Sequence, residues 1–138
     1  MLLSSSRRLT ARYCRALSTI PPAGKENQVI FNVTAEDFEE VVADSPVPVI
    51  LDCWAAWCGP CMQLAPVLER LVKQQNGKVR LAKLDTDANP ELSRQLQIQS
   101  LPTLFTVFEG KVVAQSMGYA GEAKTKLMVE TAAGFGDK

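Results

Sequence analysis

From residue 29 onward, apolar and polar positions follow two alternating periods. Short apolar runs of strand length occur at Val29–Val33, Val47–Trp54, Val79–Asp85, Thr103–Phe108 and Val112–Met117. The second is almost continuously apolar, which predicts a central strand buried on both faces, and Asp52 is its only charge. Between the strands the spacing turns helical. Thr34 followed by Glu36 and Asp37 reads as a helix start, with Phe38, Val41 and Val42 as its apolar face. A longer helix from about Cys58 to Gln75 places Leu64, Val67, Leu68, Leu71 and Val72 on one side; Pro66 predicts a kink, and Asn76-Gly77 ends it. Asn89-Pro90-Glu91 opens a short helix to about Leu96, and Glu109-Gly110-Lys111 is a hairpin-length connection. The last helix, about Gly121 to Ala133, has a weaker stripe, and residues 134–138 are expected to fray. The order β-α-β-α-β-α-β-β-α predicts an α/β fold in which helices cover both faces of a mixed sheet.

At 138 residues, 46% of them apolar, the chain has room for one domain with a real core. Its zero formal charge hides an asymmetry. Residues 1–25 hold Arg7, Arg8, Arg12, Arg15 and Lys25 and no acid, so the remainder carries 10 basic against 15 acidic side chains, a net of −5. That sign argues against nucleic acid or an anionic membrane as partner of the folded part. No apolar run reaches the roughly 20 residues a membrane span needs.

The first 23 residues are rich in Ser and Arg, with Leu2, Leu3, Leu9 and Leu17 able to form an apolar face. This is the composition of a mitochondrial transit peptide, and it lacks the continuous apolar core of a secretory signal. Arg15-Ala16-Leu17-Ser18 looks like a matrix-peptidase site cutting after Leu17, and Pro21-Pro22-Ala23-Gly24 reads as linker. The expected division is therefore a transit peptide and linker over 1–25 and one domain over 26–138, located in the mitochondrial matrix.

The chain has no histidine, which excludes Ser-His-Asp triads, Cys-His proteases and histidine metal sites. Of its four cysteines, Cys14 lies in the basic leader, Cys53 in the central strand, and Cys58 and Cys61 form a C-x-x-C pair at a strand-to-helix junction. Structural zinc needs about four ligands, and only Cys53 is near enough to add one. A redox pair is the better reading. Cys58, at the exposed helix tip, faces unpaired backbone N–H groups that favour a thiolate, making it the candidate nucleophile; Cys61, one turn further in and more buried, is the candidate resolving thiol. Gly59-Pro60 presets the turn for the helix. Asp52 is a candidate acid/base whose burial would raise its pKa, and Cys53, alternating with it, points to the other face as a small buried thiol.

Trp57-Cys58-Gly59-Pro60-Cys61 after a hydrophobic strand carrying one aspartate closely resembles the active-site segment of the thioredoxins, and the element order matches that fold across about Val29 to Ala132. The resemblance implies a thioredoxin fold and a protein-disulfide reductase of the reducing kind, since oxidising relatives usually carry a histidine between the cysteines. It implies that Asp52 moves protons to and from Cys61, with Lys83 as the lysine expected near that carboxylate. It implies a cis bond before Pro102, and a shallow apolar groove lined by Trp57, Gly59, Pro60, Leu101, Pro102 and Gly118 for an extended substrate segment. No bound cofactor or metal is implied. Electrons would come from NADPH through a thioredoxin reductase and leave to clients such as peroxiredoxins and methionine sulfoxide reductases, with the protein acting as a monomer. Three departures stand out: Cys53 replaces a usual aromatic, Met62 a frequent lysine, and the final helix lacks a strong stripe. The alternatives are a disulfide isomerase or oxidant, and a peptide-binding or holdase module without turnover.

Overall fold

The computed structural model describes residues 28–137. The transit-peptide expectation for 1–25, with Cys14, lies outside the described residues. Five strands form one sheet in the order β1-β3-β2-β4-β5: β1 Ile30–Val33, β2 Val49–Trp54, β3 Arg80–Asp85, β4 Thr103–Phe108 and β5 Lys111–Met117. β1, β3 and β2 run parallel, whereas β4 pairs antiparallel with β2 and with β5. The helical elements are α1 (Glu39–Ala43), α2 (Gly59–Lys73), α3 (Pro90–Gln95) and α4 (Glu122–Phe135).

Alternation along β2 divides the core. Val49, Leu51 and Cys53 join Phe31, Val33, Val41, Val42, Ala82, Leu84, Phe105 and Val107 on one face, closed by Leu92 of α3 and Leu96 at its C-cap. Ile50 faces the other way, packing with Leu64, Leu68, Leu71 and Val72 of α2 and Val129, Ala132 and Ala133 of α4. Helices therefore cover both faces, as the pattern predicts. Asp52 shares the face of Ile50 and so lies on the α2 side, while Cys53 lies on the opposite side, also as expected. Each large side chain fully buried under α2 contributes on the order of 2 kcal/mol, and several together fix the helix, and with it the cysteines at its start.

One local expectation changes. Thr34 does not cap a helix; instead the Asp37 carboxylate accepts hydrogen bonds from its backbone N–H (2.6 Å) and hydroxyl (3.2 Å). The element after this turn is a single π-helical turn, closed by the Asp44 N–H donating to the Glu39 carbonyl five residues back. α2 runs as one element through Pro66. β5 is exposed at all seven positions. The β4–β5 connection is a two-residue turn with positive φ at Glu109 (52°) and Gly110 (76°), which matches the twist of a tight hairpin.

Candidate active site

β2 ends at Trp54, and the chain turns through Ala55-Ala56-Trp57 into α2 with Cys58 as its N-cap. The cap backbone is extended (φ −88°, ψ 106°), and its sulfur accepts a hydrogen bond from the Cys61 N–H at 3.2 Å. That bond is the sulfur counterpart of a serine or aspartate cap, and it puts Sγ where the helix amides concentrate positive potential. Cys58 and Cys61 are joined in a disulfide with Cα atoms 5.3 Å apart. The exposed tip expected for Cys58 is not found: it is 4% accessible against 1% for Cys61. Both cysteines are buried, so what distinguishes Cys58 is its place at the helix cap.

Gly59 and Pro60 are exposed, and Trp57 is 71% accessible. The Trp57 indole N–H donates to Asp87 Oδ2 at 3.0 Å, tying the cysteine turn to the loop after β3. Asp87 escapes a sequence reading because the contact joins residues 30 positions apart; its one local signal is the polar run from Asp85 to Asn89. The Leu101–Pro102 peptide is cis, and the Pro102 carbonyl accepts from the Gly118 N–H at 2.8 Å. Gly118 has φ of 78°, a conformation that favours glycine. Leu101 is half-buried, with its side chain packed on the Cys53 side of the core.

Asp52 is 1% accessible, and its Oδ1 has no hydrogen-bond partner. Burial raises its pKa from 3.8 to about 6; the Lys83 ammonium opposes that rise and the Glu69 carboxylate adds to it. Lys83 lies opposite Asp52 in the β2–β3 register, as expected. Its ammonium, however, is ion-paired with Glu69 of α2 at 2.8 Å. Glu69 is not singled out by the sequence, although it is the one acid on α2 and borders the apolar stripe. On the opposite face, burial first and the Asp52 charge second push the Cys53 thiol far up, which keeps it protonated. Among the described residues no three His, Cys, Asp or Glu side chains group to hold a metal ion, and no helix is long and apolar enough to cross a membrane.

A family model described as thioredoxin matches residues 29–132. Thioredoxin of Haemophilus influenzae is 42% identical over 89 residues, covering 64% of this chain and 83% of that protein. A bifunctional thioredoxin reductase/thioredoxin of Mycobacterium leprae is 41% identical over 106 residues, 77% of this chain and 23% of its own length. Among solved structures, a crystal structure of Malassezia sympodialis thioredoxin superposes with a TM-score of 0.69 at 25% identity, covering 78% of this chain and 93% of that one.

Proposed function

The chain belongs to the thioredoxin family, and from that premise we propose that it is a protein-disulfide reductase working through Cys58 and Cys61. The observation that carries the reading is the Cys58–Cys61 disulfide built across the N-cap of α2, with the buried Asp52 carboxyl on the α2 side of the neighbouring strand. In the reduced enzyme the Cys58 thiolate attacks a client disulfide, forming a Cys58–client bond and releasing one client thiolate. Cys61 then gives its proton to Asp52 and attacks Cys58 Sγ. The Cys58–Cys61 bond forms, the second client thiolate leaves, and two electrons have passed from the pair to the client. Asp52 suits the proton step because a base that titrates close to the working pH can both take and return a proton. The client's extended segment is assigned to Trp57, Gly59, Pro60, Leu101, Pro102 and Gly118, and the Trp57–Asp87 hydrogen bond would hold the indole in place for it.

Return of the electrons is assigned to a thioredoxin reductase drawing on NADPH, a pairing supported by the fused Mycobacterium leprae relative. Peroxiredoxins and methionine sulfoxide reductases are the proposed clients. The test is a coupled assay with NADPH, reductase and insulin. NADPH consumption with precipitation of the insulin B chain is expected; a peptide-binding module would consume none, and an oxidant or isomerase would reshuffle disulfides without sustained NADPH use.

The mitochondrial matrix is the proposed location, on the strength of the Arg-rich, acid-free leader. Residues 1–25 fused to a fluorescent protein are expected to carry it into mitochondria. A diffuse cytosolic signal would overturn the assignment.

A further inference from the structure

The groups around Asp52 are few enough to name. Among the described residues, Lys83 of β3 and Glu69 of α2 are the charges that act on it; the register partner on β4 is Leu104; and the buried residues of α4, Thr125, Val129, Ala132 and Ala133, are uncharged. Arg70, beside Glu69 on α2, is engaged by Glu122 of α4. One cation therefore serves two carboxylates, and its partner is the half-buried Glu69 rather than the fully buried Asp52. Lys83 Nζ also lies 6.0 Å from the centre of the Trp54 ring, a second contact that holds it in place.

We infer that Glu69 is a positioning residue for the exchange reaction: by ion-pairing with Lys83 it keeps the ammonium off Asp52 and leaves that carboxyl unpaired on the α2 side of the sheet. The inference rests on the reductase reading above and adds a residue to it. Without Glu69 the lysine has one carboxylate left to neutralise, and a paired carboxylate gives up its proton at lower pH and takes one back less readily. With Glu69 in place, Asp52 is neither permanently charged nor permanently protonated near pH 7. The Glu69 charge also acts on Asp52 directly and in the same direction, so a single substitution does not separate the two routes.

A double-mutant cycle separates them. The pH dependence of insulin reduction and the titration of the Asp52 carboxyl carbon by NMR are measured for wild type, Glu69→Gln, Lys83→Gln and the double variant. Glu69→Gln is expected to move both the rising limb of the rate profile and the carboxyl titration to lower pH by about one unit. Lys83→Gln is expected to move them to higher pH. In the Lys83→Gln background, Glu69→Gln should produce less than half of its single-variant shift. An unmoved limb and titration in Glu69→Gln, with only stability lost, would make the ion pair merely structural and overturn the inference. So would an equal shift with and without Lys83. The NMR arm needs no turnover, and a wild type without reductase activity would instead refute the functional reading.

Discussion

Cys58→Ser is expected to reduce disulfide exchange to background and to leave no covalent adduct with clients, whereas Cys61→Ser keeps the attacking thiol and accumulates the Cys58–client disulfide. The asymmetry arises from the helix. The N-cap position gives Cys58 the amide N–H groups that stabilise an anion, and Cys61 sits one turn inside, 1% accessible. Serine at 58 offers a hydroxyl that is hardly ionised at neutral pH, so the first step fails. Serine at 61 stops only the second step, and the mixed disulfide should be recoverable from cell extracts on non-reducing gels. A Cys61→Ser protein that traps nothing while Cys58→Ser retains turnover would reverse the assigned roles.

Asp52→Asn is expected to stabilise the protein while slowing exchange. The folded carboxyl titrates at about 6 against 3.8 for an unperturbed aspartate, so between those values the native state holds a proton that the unfolded state has released. Native stability from this group is therefore full below pH 3.8, falls as pH rises toward 6, and stays low above it. A shift of roughly two units corresponds to about 3 kcal/mol. Asparagine never ionises, so its advantage in denaturant unfolding should approach that figure at about pH 7.5 and nearly vanish at about pH 3.5. The rate should fall because Cys61 loses its proton acceptor. Equal stability of the two proteins near pH 7.5, with the wild-type rate retained, would show that Asp52 carries no buried charge and moves no proton.

The sequence makes legible what neighbours along the chain decide. The apolar run from Val49, the lone Asp52 and the C-x-x-C at the helix start lie within 13 residues, and the structure places each on the element expected. Cys53 falls on the expected face because strand alternation admits no other choice. Expectation and structure part where partners are distant or where a side chain has two uses. Asp37 turns back to Thr34 and replaces the cap expected there, leaving only one π-helical turn. Asn89, which reads as a helix cap, makes no side-chain cap bond; it accepts from the Ala35 N–H and donates to the Asp85 carbonyl. The stripe on α4 looks weak because it consists of Thr125, Val129, Ala132 and Ala133, small residues that permit close packing yet carry little hydrophobic signal, while Leu127 is exposed. Glu69 stays hidden because its partner Lys83 is 14 residues away on another element. Cys58, at 4% accessible, is less exposed than its helix position suggests.

Order of thiol reactivity tests the central claim most directly. The reduced protein, with Cys14 replaced by serine, is treated near neutral pH with limiting iodoacetamide, quenched, and mapped by peptide mass. Cys58 is expected to take the label first, with Cys61 following only at excess reagent and Cys53, fully buried and held protonated, reacting only after denaturation. First labelling at Cys61 or at Cys53 would contradict exchange through a Cys58 thiolate at the start of α2.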